Sequence, residues 1–235
     1  MTGVEGDALK NVQEALTLPY GLVRDGKVDR LWLERFARQA GEKTRLALEP
    51  YGYYNAHVSS KVEEHKGNYR LLVAVTPGEP VRLTRVDLEL RGPGAAEEPL
   101  RRLAASFPLV KGGVLLQPEY ERAKGALKAR AVEFGYLDAD FSRHEIRIAQ
   151  GALTARIALT LNTGGRFYFS QVQIEGAPDY PEQYLRRFLA FKPGEVFSYA
   201  KLAKRSSISP TPSASSRWWS PRNESWPRIH RCRCW

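Results

Sequence analysis

Cysteine is absent from almost the whole of this 235-residue chain: Cys232 and Cys234, the only two, lie in its last four residues. That absence excludes a disulfide-framed fold and a cysteine-held zinc site in the body. The terminal Cys-x-Cys has only His230 beside it and lacks the paired spacing of a structural zinc site. Long apolar runs are missing too. No stretch approaches the roughly 20 apolar residues that cross a bilayer as a helix. MTGVEGDALK at the start has no basic run leading into an apolar core, so no signal peptide is read there. As written, the chain reads as a soluble product without an address. Acid is scarce in one place only. From Arg205 onward six arginines face the single acid Glu224, so half of the formal net charge of +10 sits in the last 31 residues. The high charge is therefore weak evidence for a nucleic-acid surface on the folded part.

Constellations that would perform chemistry are also lacking. His57, His65, His144 and His230 have no metal or triad spacing and read as solvated strand or loop residues. Asp138 and Asp140 share a strand face, which resembles a carboxylate pair, but solvation of a turn and an edge strand explains them as well. Glu63-Glu64 is a charged face beside a turn. Gly112-Gly113 lacks the Lys-Ser/Thr of a phosphate loop. No catalytic, cofactor-binding or metal-binding residue is assigned, no cofactor is expected, and the chain is not read as an enzyme.

What is present is repetition. EPYGYYNAHVSSKV (49–62) returns as VEFGYLDADFSRHEI (132–146), Gly52-Tyr53 matching Gly135-Tyr136 at a shift of 83 residues. TPGEPVRLTRVDLEL (76–90) returns as NTGGRFYFSQVQIEG (162–176), Val86 matching Val172 at a shift of 86. A weaker echo links VKGGVLLQPEY (110–120) to FKPGEVFSYAK (191–201). Three phrases in one order, at a period too long for a solenoid, indicate a small domain used more than once.

The middle copy is complete. RLTRVDLELRG (82–92) alternates as a half-buried strand and stops at a Pro/Gly turn. A short helix is expected around 99–107, with Leu100, Leu103 and Phe107 on one stripe. A second helix starts near Pro118 and closes at Gly135, with acids early, cations late and a stripe of Tyr120, Ala123, Leu127, Ala131 and Phe134. Two strands follow: the more polar DADFSRHEIRIA (138–149), then ALTARIALTL (152–161), with Leu153, Ala155, Ile157, Leu159 and Leu161 inward. The order is β-α-α-β-β.

The first copy matches but lacks its opening strand. Asp7 is expected to cap a helix over 7–18, and Asp29 a longer one bearing Leu33, Phe36, Ala37 and Ala40, whose last turn contains Pro50. NAHVSSKVEE and YRLLVAVTP would form its hairpin. The third copy keeps its strand (RFYFSQVQIEG) and first helix (PEQYLRRFLAF) and loses pattern after its second helix starts at Ser198. Leu83 and Val86 stand three apart, as do Phe169 and Val172, which suggests a bulge or bent entry in each opening strand. The expected domains are 1–79, 80–163 and 164–204, followed by 205–235. That tail holds four of the five Trp, has no period, and reads as disordered and as a coding-frame disruption near Lys204. The alternative is a genuine basic and aromatic interaction tail.

With this order, and Gly-Tyr closing the second helix, the sequence resembles POTRA domains, the periplasmic repeats of outer-membrane β-barrel assembly proteins. GYYNAHV with TPGEPVRLTRVDLELRG is most similar to the TamA branch, the translocation and assembly module subunits. Val172-Gln173-Ile174-Glu175-Gly176 matches the V-x-I-x-G that opens many such domains. The resemblance covers about residues 3–204 and leaves the signal peptide, most of the first strand and a following membrane barrel unmatched, so the chain reads as truncated at both ends. It implies an α+β fold of tandem repeats, each a small mixed three-stranded sheet covered by two helices.

The function implied is a periplasmic protein-interaction module at the outer membrane, in β-barrel protein or autotransporter biogenesis, acting by β-strand addition. The implied partners are a TamB-like inner-membrane-anchored protein and unfolded outer-membrane protein clients, with no nucleic acid. The alternative is a cytoplasmic nucleic-acid-binding αβ repeat protein, for which Arg101-Arg102 and Arg186-Arg187 are suggestive but are balanced by Glu97, Glu98 and Glu182. In each hairpin the earlier strand carries the charges, as an edge strand does, and the resemblance implies that the later strand is central. The candidate partner-binding residues are therefore His57, Val58, Ser59 and Lys61 in one copy, and Asp140, Phe141, Arg143 and Glu145 in the other.

Overall fold

The fold is that of a computed structural model, which describes residues 2–18, 21, 23–24, 27–65, 68–173 and 181–204. The tail from Arg205, expected to be disordered, lies outside the described residues. So does the end of the V-x-I-x-G phrase. Two compact units divide the chain: Met1–Glu89, Ser106–Gly125 and Arg143–Thr160 form one, and Leu90–Ala105, Ala126–Ser142 and Leu161–Trp235 the other.

The chain opens with helix α1, Gly6–Ala15. Asp7 does not cap it. Glu5 holds the N-cap place without a side-chain cap bond, and Asp7, inside the first turn, pairs with Lys10 at 2.9 Å. From there its charge faces the helix dipole, but it does not close the orphan amides. Strands β1 (Val23–Arg24) and β2 (Lys27–Val28) pair antiparallel over two residues each, too short to leave an alternation in the sequence.

Asp29 does cap α2 (Arg30–Leu48): its carboxylate accepts the Trp32 amide at 3.0 Å. Leu33, Phe36, Ala37, Ala40, Thr44, Ala47 and Leu48 form the buried stripe of α2. Pro50 stands outside this helix, contrary to expectation. Helix α2 stops at Leu48, and Glu49–Tyr51 make one 3-10 turn with the proline near its start, where a missing amide donor leaves no bond unmade.

Strands β3 (His57–His65) and β4 (Asn68–Thr76) pair antiparallel, from His57↔Thr76 to His65↔Asn68. Ala8, Val12, Ala47, Leu48, Ala56, Val73 and Val75 close the first core. YRLLVAV was expected between two strands. Among the described residues only Thr2 meets the other side of β4, through a parallel bridge at Ala74 in which the Val75 amide donates to the Thr2 carbonyl at 3.1 Å.

The middle segment runs β5 (Arg82–Arg91), α3 (Glu98–Ala105), α4 (Gln117–Glu133), β6 (Asp140–Ala149) and β7 (Thr154–Asn162), in the β-α-α-β-β order. Its sheet is ordered β5-β7-β6. The Arg82 amide donates to the Leu153 carbonyl and the Thr163 amide to that of Arg91, so β5 and β7 run in the same direction. Central β7 buries Ala155, Ile157, Leu159 and Leu161 on one face. Leu153, expected as its first inward residue, precedes the strand. At φ 48 it closes a 3-10 turn, Gln150–Ala152, because a hairpin loop of this length needs one left-handed residue to reverse the chain. In β5 the alternation breaks as expected: Leu83 is buried, Thr84 and Arg85 are exposed, and Val86 is half-buried.

The third segment departs further. RFYFSQVQIEG forms no ladder among its described residues, only one bridge between Tyr168 and Val196. The helix expected over 181–191 shortens to α5, Glu182–Arg186, and α6 spans Tyr199–Lys204. A strand is defined by its pairing, and among the described residues no later hairpin supplies a partner. Three aromatics hold this part together: Phe169 stacks on Phe191 at 3.8 Å and meets Phe197 at 4.9 Å.

The Gly-Tyr phrase has one structural meaning in both copies. Gly52 and Gly135 end their helices at φ 89 and φ 87, the left-handed region that glycine enters without a Cβ penalty. The Gly52 carbonyl then accepts the Val81 amide at 2.8 Å, and the Gly135 carbonyl accepts the Phe167 amide at 2.8 Å. Val81 and Phe167 are again 86 residues apart. A Cβ on Gly52 would lie 3.0 Å from the Leu115 carbonyl oxygen, and one on Gly135 would lie 2.6 Å from a Val196 methyl. Gly125, within α4, faces open space. Gly135→Ala should therefore cost at least about 1–2 kcal/mol of unfolding free energy, whereas Gly125→Ala should add about 0.5–1 kcal/mol. Denaturant titration checks both.

Tyr120 is buried and its hydroxyl has no hydrogen-bond partner. Burial, helped by Glu121, pushes its phenol up to about 12 from an ordinary 10. The folded state thus favours the protonated form. That stabilisation is complete below pH 10 and is lost as pH climbs through about 12. Tyr120→Phe should leave stability at pH 7 equal or up to about 1 kcal/mol higher, since it removes an unpartnered buried hydroxyl. It should also reduce alkaline destabilisation in that window, as read by melting at a series of pH values.

Candidate functional site

The two candidate strands both end a sheet: β3 is first in the order β3-β4, and β6 is last in the order β5-β7-β6, whose other end is β5. Pleating sorts their side chains. Along β3, Val58 turns inward onto the first core, and the Ser60 hydroxyl donates to the Ala37 carbonyl of α2 at 2.8 Å. His57, Ser59 and Lys61 are exposed, and Lys61 reaches Glu63 at 3.3 Å. Of the four candidates here, three line the open face and Val58 anchors the strand.

On β6, Asp140 pairs with Lys128 of α4 at 2.9 Å, and Phe141 is half-buried. Arg143 and Arg147 flank Glu145 at 3.4 and 2.8 Å, successive residues on one face of the strand. Their hydrogen bonds, Arg147 first, hold the Glu145 carboxyl below the ordinary carboxylate range. The sequence reading named Arg143 and Glu145 but missed Arg147, which the alternation along RHEIRIA could have supplied.

The structure adds a groove that the reading also missed. A hollow of about 600 Å³ lies beside the start of β3, lined by Gly41, Glu42 and Arg45 of α2 and by Tyr54–Val58. Glu42 and Arg45 pair with each other. Gly41 is the legible sign. Glycine inside a helix costs about 1 kcal/mol relative to alanine, and here the atom nearest its missing Cβ is the Val58 carbonyl oxygen, 3.9 Å away. The helix thus passes this end of β3 without a side chain over it. Tyr54, also lining the groove, accepts the Gln117 amide at 3.0 Å. Burial, then Glu49, raises its phenol.

Among the described residues no group of His, Cys, Asp and Glu could hold a metal ion, and no helix is long and apolar enough to cross a membrane.

The family description "POTRA domain TamA domain 1" matches residues 1–77. A second POTRA description, "Surface antigen variable number repeat", matches residues 167–208. These two stretches belong to POTRA repeats. Among solved structures, the chain is similar to POTRA domains 3–5 of BamA from Haemophilus influenzae, at 18% identity over 87% of this chain and 80% of that one, with a TM-score of 0.45. It is also similar to POTRA1-2 of the periplasmic domain of Omp85 from Anabaena, at 14% identity over 70% of this chain and 90% of that one, with a TM-score of 0.31.

The three charges on β6 make an electrostatic prediction. The Glu145 carboxyl should titrate below the ordinary glutamate range when followed by NMR, and should move back toward it in Arg147→Ala, with a further move when Arg143→Ala is added. Folding that depends on this carboxylate is favoured above the ordinary glutamate range and weakens as pH falls through the depressed value.

Proposed function

We propose that this POTRA region works on the periplasmic side of an outer-membrane assembly machine and takes up extended protein segments by strand addition at β3 and β6. Its partners would be a TamB-like inner-membrane-anchored protein and unfolded β-barrel or autotransporter clients. Residues 1–79, 80–163 and 164–204 would be successive repeats. The observation that best supports the reading is the order β5-β7-β6, which leaves the charged strand outermost while the apolar one is enclosed. An edge strand binds through main-chain amides and carbonyls, so it accepts many client sequences. Its charges discourage indiscriminate pairing. The groove beside Val58 supplies room for a client side chain next to the β3 backbone. The residues proposed to meet a partner are His57, Val58, Ser59 and Lys61 on β3, and Asp140, Phe141, Arg143 and Glu145 on β6.

The nucleic-acid alternative is weakened by pairing. Arg101 and Arg102 both reach Glu98, Arg186 reaches Glu182, and Arg143 and Arg147 share Glu145. A continuous unpaired basic stripe is what that function needs.

Val58→Pro and Phe141→Pro each remove one main-chain donor from an edge. Each should weaken binding of an extended, alternating apolar peptide by about tenfold, the worth of roughly one or two hydrogen bonds, measured by fluorescence titration with melting recorded alongside. Undiminished peptide binding in both variants, still folded, would sink strand addition at these edges.

A further inference from the structure

The link made by each glycine carbonyl is the same, but what surrounds it is not. In the second link, Arg166 precedes the donating Phe167. Its Nε donates to the Phe134 carbonyl at 3.0 Å, and its Nη1 donates to Glu97 Oε1 at 3.0 Å. Its guanidinium lies 5.4 Å from the centre of the Tyr136 ring, and the Tyr136 hydroxyl donates to the same Glu97 oxygen at 3.2 Å. Both ion-pair partners are mostly shielded, at 29% and 25% side-chain exposure. Glu97 is itself fixed, because its carbonyl accepts the Leu100 and Arg101 amides at the start of α3. The Phe134 carbonyl belongs to the end of α4, where orphan carbonyls and the helix dipole both favour a cation.

At the first link, the residue preceding Val81 is Pro80. Proline has no side-chain donor and no amide hydrogen. Arg166 and Pro80 occupy matching places, 86 residues apart.

We propose that Arg166 is a positioning residue: an ionic latch that holds the start of the third segment onto the end of α4 through Phe134, Glu97 and Tyr136. The link at Gly52 has a proline in its place and opens more readily. The two links thus share one main-chain design and differ in stiffness by one side chain. Three features make Arg166 suited to the task. Its fork reaches a carbonyl and a carboxylate at once, which lysine cannot match. Its charge is shielded enough for the pair to exceed an exposed surface bridge. And its face rests on an aromatic ring.

Amide hydrogen exchange on the full chain tests this, because the Val81 and Phe167 amides each report one link. In the unaltered protein at low salt, Phe167 should exchange more slowly than Val81, with the gap narrowing at about 0.5 M salt as the ion pair is screened. Arg166→Met should speed Phe167 exchange about tenfold, the worth of one charge-assisted hydrogen bond, and Glu97→Gln should speed it a few-fold. Arg166→Lys should recover part of the protection. Phe169 is the internal control: its amide donates to Glu195 of its own segment and should keep its rate. If Arg166→Met loosens the whole segment, so that Phe167 and Phe169 accelerate together, Glu97→Gln decides, since it removes a charge and almost no volume. A Phe167 amide no slower than Val81, a Phe167 rate untouched by Arg166→Met, or equal acceleration of Phe167 and Phe169 in both variants overturns the latch.

Discussion

A helix that ends in a left-handed glycine turns its last carbonyls out of register with its own axis, and in this protein one of them is taken up by the chain that follows. Gly52 receives the amide of Val81, and Gly135 that of Phe167, each at 2.8 Å. The link requires a residue with no Cβ, because the incoming loop, at Val114–Leu115 in one place and Val196–Phe197 in the other, lies where a side chain would be. The repeated phrase therefore reflects a repeated geometric demand. One glycine serves as helix cap, left-handed turn and landing site, and the tyrosine after it packs at the corner so formed. Tyr136 is almost fully buried there.

Around this link the sheets distribute polar backbone unequally. In the β5-β7-β6 sheet the enclosed strand is the one whose inward face is apolar at every step, so both rows of its main-chain groups are paired. The outer strand keeps one row for solvent or a partner, and its charges are tied to one another rather than left as a field. Such an edge is guarded yet usable. Beside β3, a helical glycine where alanine would be more stable leaves the Val58 carbonyl oxygen without a side chain over it, a small local cost that keeps that end of the strand open.

Much of this was legible in the residues. The stripe of α4, the Asp29 cap, the alternation of β7 and the break of alternation between Leu83 and Val86 in β5 are local patterns with local causes. The misreadings have causes as well. Asp7 reads as a cap because an acid before an apolar stripe usually is one, but the helix begins a residue earlier. Leu153 continues an alternation on paper, yet the loop before it needed a left-handed residue more than the strand needed another inward one. Pro50 looked like a flaw in a helix that in fact stops at Leu48. RFYFSQVQIEG has strand composition, but composition does not supply a neighbour.

By itself the sequence determined the β-α-α-β-β order of the middle segment and most of the inward residues of α2, α4 and β7, because periodicity and capping act between residues a few places apart. Only the tertiary structure decided that the two glycine carbonyls meet amides 29 and 32 residues downstream, that Gly41 uncovers the end of β3, and that Arg166 joins Glu97 across 69 residues of chain. Those pairings depend on where the helices and strands come to rest in space, and no local pattern encodes a distance between residues so far apart in the chain.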